Sequence, residues 1–566
     1  MSRCSSLRSR STRLVYGRGR GEGLRRLVPA LLPVVLVGGL ALDGGGYGAT
    51  TWGWSTLAPL AVVVFTFAAG LPRRPPRLAL SLVGLLAAFC GWTWLSLVWS
   101  SDLAQSVLEG ERLLVYLSGA AAFLLLRREE APRLLGGLLA AIALACSWAL
   151  AERAFGGAGA YDVGSAAPDA ARRLAAPLGY SNGLGVFAAV GIILAGGFSV
   201  RGRGLASRAA AGASLLLLVP TLTFTYSRGA WLALVAGGAA GLALARPRVP
   251  RTVALGMAAA AVAGVALLLV RVGGPSGLYH SFSRAAPTVK ANESRRLLSL
   301  SGSSRAQYWH AAWRQYEARP WLGAGAGSYQ RWWLRHRPAP LPVRDAHSLY
   351  LETLAELGPL GLALLVAALA VPIAASWRAR AEPLAPLAFG GYVAYLVHAA
   401  QDWDWELPAV TLAGLACGVA VLLLAERRPR VAPTVRLRLA GAAVGVGLAV
   451  AAAGALVGNA AIVSAAGALD RDNATHAASD ARAAERWAPW SPEPWRLRGE
   501  AQLSQGDVEA ARRSFEAGLD KDPRDWELWL DLGLASSGAR RRFALARATR
   551  LNPLAPELAQ LVRPGG

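Results

Sequence analysis

Long apolar runs cut by short polar breaks set the pattern of this chain. Runs rich in Ala, Leu, Val and Gly are centred near residues 36, 62, 88, 119, 144, 187, 216, 237, 261, 367, 391, 415 and 450. Each approaches the roughly 20 residues that a helix needs to cross a hydrocarbon core. The pattern predicts an all-α fold, a polytopic bundle of about 12–13 transmembrane helices spanning residues 27–464.

The polar breaks alternate in charge. A basic leader, 1–26, holds Arg3, Arg8, Arg10, Arg13, Arg18, Arg20, Arg25 and Arg26 against Glu22, which places the N-terminus in the cytoplasm. Every second connection after it is basic: RRPPR (73–77), RREEAPR (127–133), RGRGLASR (201–208), RPRVPR (246–251), WRARAE (377–382) and ERRPRVAPTVRLR (426–438). The short connections between them, such as SDLAQSVLEGE (101–111) and QDWDWE (401–406), are acidic or mixed and are expected outside. Asp43 and a Gly run follow the first apolar stretch in place of a small-x-small cleavage site, so that span is expected to stay attached.

Two segments are too polar for the bilayer. One is a connection over 272–348; the other is the tail, 465–566, which an odd number of spans puts outside with it. An error in the Ala/Gly-rich span near 450 would move the tail to the cytoplasm. In the tail Pro489 and Pro523, Trp495 and Trp529, and Gly499 and Gly533 repeat at the 34-residue tetratricopeptide period, and GDVEAARRSFEAGLDKDP resembles the second helix of that repeat. Asn552-Pro553 suggests a degenerate last unit. Such helical repeats present a concave face to a protein partner; the alternative is a small helical cap on the last span.

Composition narrows the class. The 566 residues are 54% hydrophobic and 17% charged, against roughly 25% charged in soluble domains. Mean hydropathy is +0.36. These values exclude a cytosolic enzyme, a secreted disulfide scaffold and a disordered chain. The net charge of +24 is assigned to loops facing anionic membrane lipid rather than to nucleic acid. Cys90, Cys146 and Cys417 lie inside apolar runs and Cys4 in the leader, a spacing that fits neither a disulfide framework nor a zinc site.

Candidate chemistry gathers on the outer side. Twelve Lys/Arg lie between Arg271 and Arg344 against Glu293, Glu317 and Asp345, which suits an anionic ligand or lipid headgroups. Trp309, Trp313, Trp321, Trp332 and Trp333 suit a segment lying in the membrane interface. Arg228, in TFTYSRGAWLALVAGG, sits in a tight hairpin between two apolar runs, a cation at the membrane edge on the disfavoured side. The bland reading is an arginine snorkelling from a helix end.

Arg305, in SSRAQYWHAAW, shares a helical face with Trp309 and Ala312 and lies near Tyr308 and His310. PWLGAGAGSY (320–329) has no preceding strand and no following GK[ST], so it reads as a flexible turn and not a nucleotide loop. In RDAHSLYLETLAELGPLGLALL, Asp345 is placed as a helix cap with His347 in the first turn, and Gly358-Pro359 as a break before the next span. A neutral histidine can take a proton from a hydroxyl, although on chemistry alone His310 and His336 are equal candidates and a structural role is open for all three. Glu352 and Glu356, one turn apart, read as a polar face.

Together, TYSRGAWLAL, the R-x-x-Y-W run followed by PWLGAGAGSY, and DAHSLYLETLAELGPLGLAL resemble, in order and form, the O-antigen ligase superfamily. That group includes O-antigen ligases, Wzy-type polymerases and bacterial protein O-oligosaccharyltransferases; the resemblance covers about 175–425. It implies transfer of a glycan from an undecaprenyl pyrophosphate carrier to an acceptor hydroxyl at the outer face of a bacterial cytoplasmic membrane, with no nucleotide, metal or other cofactor. Residue by residue, it implies that Arg228 and Arg305 bind the pyrophosphate and that His347 orients or deprotonates the acceptor, with Ser348, Tyr308 and His310 in support. Many members carry Asn where this chain has Ser348, and the repeat tail is not part of the minimal ligase. A polymerase would use the same three residues. A transporter would place ionisable groups mid-membrane on repeated halves, and a non-catalytic envelope scaffold would need only the tail.

Overall fold

A computed structural model describes residues 27–71, 77–156, 173–202, 204–245, 304–427 and 432–561, with isolated positions between 274 and 302. The leader, the apolar run near 261 and most of the connection before residue 304 lie outside the described residues. Those described form helices and no strand.

In the membrane domain these are α1 Leu27–Leu42, α2 Ala49–Ala68, α3 Arg77–Val98, α4 Leu103–Leu124, α5 Arg128–Phe155, α6 Ser181–Arg201, α7 Leu205–Phe224 and α8 Arg228–Ala245. After the long connection come α9 Arg305–Ala318, α10 Tyr329–His336, α11 Leu349–Ala379, α12 Ala385–Ala399, α13 Pro408–Leu424 and α14 Val435–Leu469. Eight of them are long and apolar enough to cross a membrane, and α1 and α13 are shorter apolar helices. The protein is a multi-pass membrane protein. Every expected span centre among the described residues falls on a helix. The acidic stretch 101–111 differs from expectation: α4 begins at Leu103, so Glu109 and Glu111 lie inside the helix. Arg112 pairs with Glu109, and Asn459 Nδ2 donates to Glu111 Oε2 at 2.8 Å, which lets those carboxylates enter the packed bundle.

The core is organised around α13, every one of whose 17 residues is buried. At 1.5 Å per residue it is roughly 26 Å long, short of the ~30 Å hydrocarbon core. Protein surrounds it, so its N-terminus can end on polar groups inside the domain. The turn before it carries Asp402, Asp404 and Glu406, acids at the positive end of a helix dipole. Helices α4, α11 and α12 pack on α13, and α8 on α12. α11 is kinked at Gly358, whose φ of +67° suits glycine, and the Gly-Pro break is where expected.

By contrast α14, at 35 residues, is roughly 50 Å long and must leave the bilayer. It crosses α2 with glycines at the contact: a Cβ on Gly53 would lie 2.6 Å from Leu456 Cβ. Its far end runs unbroken past residue 465 into the repeat region, where Ala465 and Ala468 pack on α15 Ala474–Trp487. α16 Glu493–Ser504, α17 Val508–Lys521, α18 Trp526–Leu534, α19 Gly538–Leu551 and the short α20 Pro556–Leu561 follow. The 34-residue period has a packing cause. A Cβ on Gly499 would come 2.4 Å from Phe515, and one on Gly533 would come 2.8 Å from Leu545, so the two glycines close successive helix pairs in the same way.

The repeat region docks on the loop helix α10, on the same face of the protein. Arg331 Nη1 donates to Asp522 Oδ1 at 2.9 Å, its Nη2 also reaches Asp522, and its Nε meets Asp102 Oδ2 at 2.6 Å. Arg337 Nη2 donates to Asn552 Oδ1 at 2.9 Å. An Asp522→Ala variant should keep the Asp102 pair and loosen the tail. Hydrogen exchange in α10 and α19 should then speed up about tenfold, as expected for one charge-assisted bidentate contact; unchanged exchange would show that the latch contributes little.

Candidate active site

Four helices, α6, α8, α11 and α13, begin at one face, and the predicted residues lie at or beside those beginnings. Around the Gln401-Asp402 turn the structure brings three distant segments together. Asp402 is 1% exposed and accepts four hydrogen bonds. Tyr180 hydroxyl donates to Oδ1 at 2.6 Å, Asn182 Nδ2 to Oδ2 at 2.7 Å, Arg305 Nη2 to Oδ2 at 2.7 Å and the Trp403 N–H to Oδ1 at 2.9 Å. Burial opposes charge on Asp402, but Arg305, His347, His398 and the Tyr180 hydroxyl outweigh it and hold the carboxyl below the usual carboxylate range.

Arg305 is 17% exposed at the start of α9. Its Nε donates to Gln401 carbonyl at 2.6 Å, which with Asp402 fixes one edge of the guanidinium. Nη1 has no partner among the described residues and remains for a ligand. Arg228 opens α8 after the Tyr226 turn (φ +49°), where Ser227 Oγ accepts the Ala230 N–H at 3.3 Å as a cap. Gly229 allows a close approach, since a Cβ there would lie 3.1 Å from His398 Nε2 and the imidazole would have to give by a few tenths of an ångström. Its carbonyl accepts from Gln401 Nε2 at 3.4 Å, so Arg228 and Arg305 are tied to the same turn, and their charges interact with each other. Arg173 joins them: its Nε donates to Thr225 carbonyl at 2.9 Å and its Nη2 to Asn182 Oδ1 at 2.6 Å.

His347 lies two residues before the first residue of α11, a correction to the expected first-turn position. Ser348 is the N-cap residue, Asp345 does not cap, and the Glu352 carboxylate reaches back to the Ala346 N–H at 2.6 Å. That pulls His347 into the left-handed region at φ +55°. Its Nδ1 sits 3.1 Å from Asp345 carbonyl, so Nδ1 carries the proton and Nε2 keeps a lone pair. Trp309 Nε1 donates to His347 carbonyl at 3.2 Å, and the Tyr308 ring lies 5.0 Å from the imidazole. Burial lowers the His347 pKa and Arg305 lowers it further; Asp402 opposes them, and the net direction is down from 6.5. The ring is therefore neutral at pH 7 while remaining partly exposed. Ser348 is buried beside it, whereas His310 is exposed, two residues beyond Tyr308 and so across the helix.

A second buried network lies behind the first. Arg112 Nη1 meets Glu406 Oε2 at 2.7 Å with its guanidinium 5.1 Å from the Trp405 ring, and Arg344 Nη1 donates to Tyr47 hydroxyl at 3.2 Å. Burial, then the charge of Glu406, push Asp345 well above the usual carboxylate range, so it donates the hydrogen bond they share. Oxygens of Asp345, Glu352 and Glu406 lie within 4.8 Å of one another, a spacing that could hold a cation. Each already has a protein partner that a cation would have to displace.

Two expectations are corrected here. Glu352 and Glu356 are buried rather than forming a polar face: Glu356 accepts the Gly327 and Tyr329 N–H groups at 2.8 and 2.9 Å. The glycine turn 320–329 is packed rather than loose, for a Cβ on Gly325 would come 2.3 Å from Ser100 Oγ. Of the interface tryptophans, Trp313 and Trp321 are exposed and Trp333 is buried under Tyr308. Asp402, Asn182 and Arg173 were missed by sequence reasoning; the signal for Asp402 was the acid-aromatic alternation of QDWDWE, which was used only to orient the chain.

Residues 212–366 match the O-antigen ligase family model. That segment contains Arg228, Arg305 and His347, and residues 492–535 match a tetratricopeptide repeat. No curated protein matches the chain. The family match supports a membrane glycan transferase of the ligase or polymerase kind, and the repeat is of a type that binds proteins.

An Asp402→Asn variant should leave Arg305 without its counter-charge. Removing one partner of a buried pair costs about 3–5 kcal/mol, so the detergent-solubilised protein should melt several degrees lower. A melting temperature equal to wild type would refute the central role of this carboxylate.

Proposed function

We propose that the protein transfers a glycan from an undecaprenyl-pyrophosphate carrier to an acceptor hydroxyl at the outer face of a bacterial cytoplasmic membrane. The observation that carries this reading is the convergence of Arg228, Arg305 and His347 about the Gln401-Asp402 turn. Four helix N-termini at the same face add positive potential where a pyrophosphate would sit. The basic connections on the opposite face support an outward orientation.

His347 Nε2 takes the proton of the acceptor hydroxyl as its oxygen attacks the anomeric carbon. The bond from that carbon to the pyrophosphate oxygen breaks, and the carrier leaves as its pyrophosphate. Arg228 and the outward Nη1 of Arg305 stabilise the charge that develops on the leaving oxygens. Asp402 holds the Arg305 fork in place, and Trp309 and Tyr308 hold the imidazole. The protein brings donor and acceptor together in one orientation, which supplies much of the remaining rate.

Reconstituted protein given a labelled carrier-linked glycan and an extract of acceptors tests the reading. Label should leave the carrier only with extract present; growth of a ladder without extract would identify a polymerase instead. His347→Ala should lose about 10²–10⁴-fold in rate while inserting normally, and wild-type transfer by that variant would remove the general-base role. Arg305→Lys should transfer about 10- to 100-fold more slowly, because an ammonium cannot hold Gln401, Asp402 and a phosphate at once; full activity would exclude fork recognition. The rate should fall as pH drops and His347 becomes protonated, with the midpoint of that limb below 6.5. A midpoint above 6.5 would mean that another group titrates.

A further inference from the structure

Between the loop helix α10 and the repeat region lies a second cleft, about 420 Å³ in volume. It is not the site that holds His347. Its lining includes Arg319, Arg331, Arg335 and Arg524 and contains no acid. Arg331 is neutralised by Asp102 and Asp522 and forms the seam between the two bodies. Arg319, Arg335 and Arg524 are exposed, and no carboxylate among the described residues pairs with them. Trp332 and Trp526, one from each side, are half-buried in the same cleft.

One buried group there lacks a partner. Gln315 is 1% exposed and lines the cleft; its Nε2 donates to Ser328 Oγ at 3.0 Å, while its Oε1 accepts nothing from a described residue. A buried carbonyl oxygen left bare costs about 1–3 kcal/mol; this one is closed to solvent, and a turn of the Gln315 amide toward the cleft would offer it to a hydroxyl or N–H donor of a ligand. The cleft therefore offers guanidinium forks for anionic groups, flat indole faces for a ring with an apolar side, and an acceptor for a hydroxyl. One class of ligand carries all three complements: a sugar chain bearing carboxylates or phosphates.

Position agrees with that chemistry. The opposite face of α10 supports the proposed reacting centre, because Trp333 packs edge-on against Tyr308 at 5.1 Å and Tyr308 against His347 at 5.0 Å. The two ring contacts and the ~10 Å width of a helix with its side chains put the cleft within about 20 Å of His347, a distance an extended glycan chain can span. We infer that this cleft is a subsite for an anionic saccharide chain, either the distal part of the donor glycan or the acceptor, held where the repeat region meets the loop. The assignment of donor and acceptor rests on the transferase reading; the binding itself does not.

The test uses the full chain in nanodiscs and follows tryptophan fluorescence. The probes are an oligogalacturonate, a maltooligosaccharide of equal length, a polyglutamate peptide and inorganic phosphate. The oligogalacturonate should bind, more weakly as salt rises, and at least tenfold more tightly than the neutral sugar. The double variant Arg335→Ala/Arg524→Ala should lose tenfold or more of that affinity, and Gln315→Leu should lose affinity for both sugars. His347→Ala should bind as wild type does, so a failed transfer assay with intact binding would sink the transferase reading alone. Equal binding of acidic and neutral sugars, no effect of the arginine variant, or polyglutamate or phosphate matching the oligogalacturonate would each overturn the subsite. Where transfer is measurable, the arginine variant should raise KM for one substrate with kcat unchanged. The donor KM rising identifies the donor glycan, the acceptor KM rising identifies the acceptor, and neither rising overturns the proposal.

Discussion

The site depends on one ionised carboxylate with four donors. Asp402 is buried, and burial alone would neutralise it; its charge survives because Tyr180, Asn182, Arg305 and the Trp403 amide fill its lone pairs. Each donor comes with an element. Tyr180 and Asn182 bring the start of α6, Arg305 brings the loop helix α9, and Asn182 passes the link to Arg173 and so to the turn before Arg228. Remove the charge, and three segments far apart in sequence lose their common partner.

That carboxylate stands where it does because α13 is short. A fully buried helix of 17 residues leaves space above its N-terminus, and QDWDWE fills the space with alternating acids and aromatics. The three acids take separate sets of partners. Asp402 faces Arg305, Asp404 pairs with His398 at 3.0 Å, and Glu406 faces Arg112 and Asp345. Buried ion pairs are weak sources of stability; what they provide here is orientation, since a guanidinium such as that of Arg305, held along its Nε–Nη2 edge, presents its remaining donors in one direction.

The parts of this arrangement that were legible in the sequence are those encoded locally. Apolar runs of bilayer length and basic connections gave spans that fall on helices, and the 34-residue period gave repeat helices whose glycines close successive pairs alike. Arg228, Arg305 and His347 were legible because each sits in a contiguous motif. Asp402 was not, because its side-chain partners are 97 to 222 residues away and a short acidic connection is also what an outer loop looks like. His347 was placed inside the helix, whose start lies three residues later than expected, for a related reason. Its conformation follows from Glu352 capturing the Ala346 amide, and a carboxylate reaching backwards leaves no periodic trace. Glu109 and Glu111 were read as loop because Asn459, the partner of Glu111, shows only once the helices pack, and an i, i+3 pair such as Glu109 with Arg112 does not by itself mark a span.

The repeat region is built into this geometry rather than appended to it. α14 carries it out of the bilayer as a continuous helix, and Arg331 then binds Asp102 of the membrane domain and Asp522 of the repeats through one guanidinium. A single planar fork allows little play between the two carboxylates it joins. It sits on α10, an eight-residue helix whose other face holds Tyr308, and Tyr308 holds the imidazole. Any ligand or protein that shifts the repeats must therefore move α10 or break the fork, and a movement of α10 reaches His347 through two aromatic contacts. The tail, which lies outside the segment 212–366 matched by the ligase family, is thereby linked through α10, Trp333 and Tyr308 to the residue on which the proposed chemistry turns.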